Sequence, residues 1–190
     1  MFNKIFLLCI CLFSIFSTKT IFAQSPTPFQ CPTMLAIVNE GPNQPENPSF
    51  ISVINAATGA LSTQIAVKDA TGTAFKSLNG LALNNQDGLA YAQYQRIPTQ
   101  AEVALALATT GNYISTSTLV QVGANGIGVN LGTLNPPVNT GFNIHGMLGL
   151  LGTANNSGTY FVAAGEAQVN LVDSSVSDFK LYIGKIKIGR

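Results

Sequence analysis

The sequence predicts an all-β fold of repeated four-stranded antiparallel sheets in an exported chain, and three observations lead to this. Short apolar or β-branched runs recur between Gly, Pro, Asn and Asp turns along most of the 190 residues. Charged residues make up only 9% of the chain, against about 25% in ordinary soluble proteins. The N-terminus carries a short charged start followed by an apolar run. With a net charge of +1, the chain has no basic field for nucleic acid.

The N-terminal segment has the layout of a secretory signal peptide. Lys4 supplies one positive charge, and Ile5 to Phe16 form an apolar run interrupted only by Ser14. This run is shorter than the roughly 20 apolar residues that a membrane-spanning helix needs. We therefore predict a signal peptide over residues 1–23, cleaved after Ala23, with an uncleaved N-terminal anchor as the alternative.

Three cysteines bear on the redox state of the exported protein. Cys9 and Cys11 lie in the predicted signal peptide, so the mature chain keeps only Cys31. A single thiol forms no internal disulfide, and it is either buried as a small apolar group or paired with another chain. No bacterial lipidation pattern precedes any of the three.

A short linker over residues 24–33, with Pro26 and Pro28, leads into a β-repeat domain over residues 34–190. Thr58-Gly59 and Asp87-Gly88 are turn signals, the second of them for a hairpin. The apolar runs around these turns predict five strands, at Met34–Val38, Phe50–Ile54, Leu61–Val67, Leu78–Leu83 and Leu89–Tyr94.

The order of strands and turns then repeats, with Val103 in the place of Ile51 at an offset of 52 residues. We place the units at about 50–95 and 103–164, with a truncated third from 179, and the extra length of the second in the Gly-rich stretch Gly123–Pro137. Gln100–Ala108 admits two interpretations. Thr99 and Glu102 form a capping-box pattern that indicates a helix, whereas alternation of Val103, Leu105 and Leu107 with alanines indicates a strand. The repeat favours the strand.

Units of about 50 residues with four short strands are typical of propeller blades or a related repeated sheet. We predict a partial or open β-propeller-like arrangement, with a small β-sandwich as the alternative. Leu78-Asn79-Gly80-Leu81-Ala82-Leu83-Asn84, followed by Asp87-Gly88-Leu89-Ala90-Tyr91-Ala92, resembles the inner hairpin of β-propeller-like repeat domains in large secreted and surface proteins of bacteria. Ile51-Ser52-Val53-Ile54 with Ala57-Thr58-Gly59 resembles the opening strand and turn of that repeat.

The resemblance covers most of residues 33–163 and implies a fold, since the biochemical role of the family is generally unassigned. Two departures are His145, where the first unit has Asn79, and the count of two complete units plus a partial third.

No set of residues in the sequence specifies a chemistry. His145 is the only histidine, and we expect a structural residue bonded to backbone, because a general base needs a carboxylate or nucleophile within reach. Ser177 and Lys180 have the spacing of a serine–lysine pair but lack the helix that would bring them together. We predict no catalytic, cofactor-binding or metal-binding residues, and no cofactor.

The aromatic residues fall on predicted strands, where we expect core packing, with some members lining a binding surface: Tyr91, Tyr94, Tyr113, Tyr160 and Phe161.

The predicted function is that of a secreted or surface-exposed, non-enzymatic interaction or scaffold module. The alternative is a fragment of a propeller-type extracellular enzyme whose active site lies beyond the chain end. Expected partners are glycans or surface proteins, with no nucleic acid and no permanent membrane span after cleavage. We also predict an edge strand at Leu181–Ile188, pairing of this strand with Met34–Val38, and self-association through sheet edges.

Overall fold

The computed structural model describes residues 24–30, 34–39, 48–95, 98–153, 159–170, 172–173 and 175–187. The predicted signal peptide and Cys31 lie outside these residues. The described part contains one helix, α1, at Gln100–Thr110 and eleven strands: β1 Met34–Asn39, β2 Ser49–Ile54, β3 Ile65–Ala66, β4 Leu78–Asn84, β5 Leu89–Tyr94, β6 Tyr113–Ser115, β7 Ser117–Val122, β8 Gly128–Leu134, β9 Ile144–Thr153, β10 Thr159–Val169 and β11 Val176–Lys187.

These strands form three sheets, so the predicted all-β class is confirmed. The N-terminal sheet has the order β1-β2-β3, the central sheet β4-β5-β7-β8, and the C-terminal sheet β11-β10-β9-β6. Strand pairing is antiparallel except between β6 and β9. Between β5 and β7 the chain leaves the central sheet to form α1 and to add β6 to the C-terminal sheet.

The central sheet lies between two hydrophobic cores because its strands alternate. On β5, Ala90 and Ala92 belong to a core shared with the N-terminal sheet, which contributes Ile51. Tyr91 points the opposite way, into a core with Met147 and Tyr160 of the C-terminal sheet. The three sheets therefore pack face to face in chain order.

Local turn chemistry explains why the hairpin of β4 and β5 was predicted correctly. Gly88 has a φ of 68°, which favours glycine. Its N–H donates to the carbonyl of Asn84 at 2.8 Å, and the Asp87 carboxylate accepts from the N–H of Leu89 at 2.9 Å.

The prediction of a strand at Gln100–Ala108 is wrong, because this segment is α1. Both hydrogen bonds of the capping box form between Thr99 and Glu102, and Gly111 ends the helix in the left-handed conformation. Alternation among Ala, Val and Leu carries little information, since alanine is apolar yet the best helix former. Val103 lies on a helix and Ile51 lies on a strand, so the two residues are not structurally equivalent.

The structure also corrects several strand predictions. β1 pairs with β2, and β11 with β10, so the predicted pairing of Met34–Val38 with the C-terminal strand is wrong. Each of these strands pairs with its neighbour in sequence instead. Of the predicted strand Leu61–Val67 only the short β3 forms. The Gly-rich stretch Gly123–Pro137 contains β8.

Two terminal strand predictions are confirmed. Met34–Val38 lies within β1. Leu181–Lys187 lies within β11, the edge strand of the C-terminal sheet, and Ile188 lies outside the described residues.

The described part of the predicted linker packs onto the central sheet. Phe29 is buried in the first core, and its N–H donates to the carbonyl of Gly88 at 2.6 Å. The Asn125 side chain accepts from the N–H of Thr27 at 3.2 Å and donates to the carbonyl of Ser25 at 2.9 Å. This segment is therefore part of the folded domain.

Candidate functional site

The only histidine of the chain faces a carboxylate. β9 and β10 pair so that His145 lies directly opposite Glu166. Nδ1 of His145 is 2.8 Å from Oε1 of Glu166, and both side chains are fully buried. The prediction of a histidine bonded to backbone is therefore wrong, because its partner is a carboxylate on the neighbouring strand.

Glu166 is the centre of a hydrogen-bond network. Its Oε1 accepts from the backbone N–H of Asn139 at 2.8 Å, and its Oε2 accepts from the Asn139 side-chain amide at 2.7 Å. The Tyr182 hydroxyl, on β11, donates to Oε2 at 2.5 Å. The network thus joins β9, β10, β11 and the loop before β9.

These contacts determine the charge of the network. Burial by itself raises the pKa of Glu166, but hydrogen bonds from Tyr182, Asn139 and His145 outweigh it and lower this pKa to about 2. The same bond to Glu166 raises the pKa of the Tyr182 hydroxyl. Glu166 is therefore ionised at neutral pH, and Nδ1 of His145 carries the proton that it donates.

Burial limits what this network does chemically. Nε2 of His145 is buried, and no described residue offers it a hydrogen bond. A general base must reach the proton it removes, directly or through one water, and neither His145 nor Glu166 is exposed to solvent. The arrangement holds sheet and loop together, and its only partly exposed hydroxyl among the described residues is that of Tyr182.

A cleft opens on the central sheet, on the side that faces the N-terminal sheet. Its volume is about 250 Å³. The lining residues come from three strands and from the segment between β3 and β4: Ala74, Phe75, Lys76, Tyr94, Thr118 and Asn130. An aromatic ring, a cation, an amide and a hydroxyl therefore meet in one opening.

The outer face of the C-terminal sheet carries a group of exposed apolar side chains. Leu148 of β9 is 44% exposed, and Phe179, Leu181 and Ile183 of β11 are 57%, 57% and 66% exposed. The three β11 residues are two apart and thus share one face of the strand. We call these four residues the outer apolar face.

The other sequence candidates form no site in the described part. Ser177 and Lys180 lie on β11, where residues three apart point to opposite faces, so the pair stays separated. No group of three or more His, Cys, Asp or Glu side chains with metal-binding geometry occurs among the described residues.

The predicted aromatic positions all fall on strands. Tyr91 and Tyr160 are buried in the second core, as expected, and Tyr94 lines the cleft. Sequence reasoning missed Glu166, Asn139 and Tyr182, because only the strand register brings them to His145.

Comparison with known proteins does not identify the function of these sites. Within the described residues, no helix is long and apolar enough to cross a membrane. The chain matches no protein-family model, no curated protein and no solved structure.

Proposed function

We propose that this protein is an exported, non-enzymatic interaction module whose outer apolar face binds a second copy of the chain. The exposure of Leu148, Phe179, Leu181 and Ile183 carries this proposal. Single exposed apolar residues are ordinary, but a contiguous group on one sheet face is typical of an interaction surface.

The outer apolar face is contiguous across all three antiparallel strands. A methyl group on Gly165 of β10 would lie 3.1 Å from Cδ1 of Leu148 and 3.3 Å from the Phe179 ring. The side chains of β9 and β11 therefore approach each other over the glycine between them. The result is a continuous apolar surface without a polar residue at its centre.

The way in which the sheets pack favours a second copy of the chain as the partner that covers the outer apolar face. Within the chain, the central sheet buries both of its faces against other sheets, and the outer apolar face is a third surface of this kind. A twofold dimer places the same surface on both partners, so an apolar face meets an apolar face. Pairing at the edge strand β11 is a second way in which two copies could associate, since strand edges associate readily.

The face-to-face order of the sheets also supports a finer description of the fold. We propose that the three sheets are successive blades of an open, propeller-like stack. We also propose glycans and surface proteins as partners, in addition to the second copy of the chain. An enzymatic role has weaker support, because His145 and Glu166 are buried.

Sedimentation velocity of the exported, processed protein tests the proposal. We expect a concentration-dependent dimer, and we expect Leu181→Lys and Ile183→Lys each to give a monomer, because a charge at the centre of an apolar interface loses its hydration. Leu105→Lys is the matched control, because Leu105 is 64% exposed on α1 and is not part of this face.

Two results would contradict the proposal. One is a monomer at high micromolar concentration of the unaltered protein, and the other is a dimer that survives both β11 substitutions. Export has its own test, because the N-terminus of protein recovered from the medium should be Gln24.

A further inference from the structure

We propose that Asn79 is a site of spontaneous chemical modification, at which the backbone nitrogen of Gly80 displaces the side-chain amide and leaves aspartate or isoaspartate. The sequence contains the dipeptide Asn-Gly twice, at positions 79–80 and 125–126. Asparagine is one of the thermolabile residues, and a glycine after it has no side chain to shield the attacking nitrogen. The fold distinguishes the two sites. This inference does not depend on the outer apolar face or its partner.

The reaction needs only the chain and water. The N–H of Gly80 loses its proton to the solvent, the nitrogen forms a bond with Cγ of Asn79, and the bond between Cγ and Nδ2 breaks. Nδ2 takes up a proton and leaves as ammonia, so a five-membered succinimide ring remains. Water then opens this ring at either carbonyl, which gives aspartate or isoaspartate. No electron is transferred, so neither an oxidant nor a reductant is required.

The nitrogen of Gly80 is held beside the group that it attacks. It lies 2.8 Å from Oδ1 of Asn79, to which its N–H donates. The pairing of β4 with β5 shifts between Asn79 and Leu81, so Gly80 is the extra residue of a bulge. Its φ of 63° is left-handed, which glycine adopts without steric cost. The attacking atom therefore approaches Cγ without first leaving the register of the strand pair.

The side chain of Asn79 is open to water and weakly held. Asn79 is an exposed residue. Apart from the bond to Gly80, the hydrogen bond described for its side chain runs from Nδ2 to the carbonyl of Leu148 at 3.4 Å. This distance is longer than the range of about 2.7–3.2 Å for ordinary N–H···O bonds. The amide that leaves is thus held by a weak contact only, and water reaches the ring that forms.

The second Asn-Gly pair has the same sequence but a different geometry. Asn125 is also exposed, so access of water does not distinguish the two sites. The N–H of Gly126 donates to the carbonyl of Gly123 at 2.9 Å rather than to the Asn125 side chain. Oδ1 of Asn125 accepts from the N–H of Thr27 at 3.2 Å, and its Nδ2 donates to the carbonyl of Ser25 at 2.9 Å. Reaction at this site requires these three hydrogen bonds to break.

Modification of Asn79 changes a contact between two sheets. Asn79 lies on the central sheet, and Leu148, whose carbonyl accepts from Nδ2, lies on β9 of the C-terminal sheet. Both products replace the amide donor with a carboxylate, which is negative and only accepts hydrogen bonds. Two acceptors then face each other, and isoaspartate also adds a carbon atom to the backbone of β4. We therefore expect the modified protein to be less stable than the fresh protein.

Ageing of the exported, processed protein tests this inference. The folded protein is incubated in water enriched in heavy oxygen, at neutral and at mildly alkaline pH, and peptide mapping by mass spectrometry follows both sites. The label separates modification during incubation from modification during digestion. We expect position 79 to take up label at least about tenfold faster than position 125, where hydrogen bonds must break first. Both rates should rise with pH, because the attacking nitrogen must lose its proton.

The unfolded chain is the matched control for the effect of the fold. In concentrated urea the two sites keep the same dipeptide and lose the contacts described above, so they should react at similar rates. A preference for position 79 that is present in the folded protein and absent in urea therefore comes from the structure.

The consequence for stability has its own pair of variants. Asn79→Asp reproduces one of the two products, and it should lower the midpoint of thermal unfolding. Asn130→Asp is the matched control, because it adds the same charge to the central sheet and keeps the oxygen that accepts from the N–H of Gly132 at 2.9 Å. We expect the larger decrease for Asn79→Asp.

Three results would count against the inference. Position 79 may not be found less reactive in the folded protein than position 125, and equal rates at the two positions would equally mean that the fold does not select Asn79. Absence of label at position 79 over a period in which the unfolded chain reacts would show that the folded geometry protects this site. Equal thermal stability of Asn79→Asp and Asn130→Asp would show that modification does not weaken the contact with Leu148.

Discussion

The two interfaces of the central sheet differ in what they bury. The interface with the N-terminal sheet is mainly apolar, and it includes a polar contact in which the N–H of Leu78 donates to the buried Ser49 hydroxyl at 2.9 Å. Its apolar side chains are Phe29, Ile51, Val67, Leu78, Ala90, Ala92, Val120 and Val122. The interface with the C-terminal sheet contains Tyr91 and Tyr160, and strand alternation places the buried Gln93 and Ser117 on the same side of the central sheet.

This difference separates two sources of stability. An apolar core stabilises the fold in proportion to the apolar area that it removes from water. It also tolerates replacement of its residues by other apolar residues of similar volume. A buried polar group costs free energy unless a partner is in place. Neither Gln93 nor Ser117 has a side-chain partner among the described residues, whereas Glu166 has four hydrogen bonds. The partners of Glu166 all belong to the C-terminal sheet and the loop before β9, so it is this sheet that depends on specific polar pairs.

The largest effect is expected in the apolar interface. Leu78 is almost completely buried, so Leu78→Ala should lower the free energy of unfolding by about 3 kcal/mol, through lost burial and the cavity left behind. Urea denaturation measures the loss. Leu105→Ala, on the exposed side of α1, should change it by less than about 0.5 kcal/mol. Equal losses for the two variants would show that Leu78 is not in a packed core.

A smaller, pH-dependent effect is expected for Glu166→Gln. At pH 7 the loss should be about 1–2 kcal/mol, because the amide accepts fewer hydrogen bonds than the carboxylate. The pKa of Glu166 falls from its ordinary value of 4.5 to about 2 on folding. The stabilisation is therefore present above pH 4.5 and disappears as the pH falls towards 2.

The pH series distinguishes the apolar interface from the Glu166 network. The difference between the unaltered protein and Glu166→Gln should shrink between pH 4.5 and 2, while the loss from Leu78→Ala should stay constant over that range. A Glu166→Gln loss that is the same at pH 7 and pH 2.5 would mean that the carboxylate is not held ionised by the network.

The sequence predicts those parts of the fold that depend on local chemistry. The β4–β5 hairpin was correctly predicted because Asp87 and Gly88 determine the turn by themselves. α1 was wrongly predicted because the apparent alternation of Val103 and Leu105 outweighed a capping box that was also visible. Local helix signals deserved more weight there than a distant repeat.

The candidate sites depend on register, which a single sequence does not reveal. His145 was singled out as the only histidine, but Glu166 lies 21 residues away, and two bulges intervene in the pairing of β9 with β10. The cleft joins Lys76, Tyr94 and Asn130 across three separate segments. Tyr94 was among the aromatic residues considered for a binding surface, but nothing in the sequence joined it to the other two.

The smallest effects come from two tyrosines whose rings lie 4.8 Å apart in the second interface. The Tyr91 hydroxyl donates to Asp87 at 2.6 Å and accepts from Gln121 at 2.7 Å. The Tyr160 hydroxyl is buried without a hydrogen-bond partner among the described residues. Tyr91→Phe should therefore lower the free energy of unfolding by about 1 kcal/mol, whereas Tyr160→Phe should leave it unchanged or raise it, because an unpaired buried hydroxyl is a cost.

Alkaline titration adds a second measurement on the same pair. Burial, followed by the bond to Asp87, raises the pKa of Tyr91 to about 12 from its ordinary value of 10.0. Since the folded state favours the protonated form, stability from this group is present below pH 10 and is lost as the pH rises towards 12. Tyr91→Phe should reduce that loss. If Tyr160→Phe instead costs as much as Tyr91→Phe at neutral pH, its hydroxyl is hydrogen-bonded in the folded protein, and the second interface has fewer unpaired polar groups than the described contacts indicate.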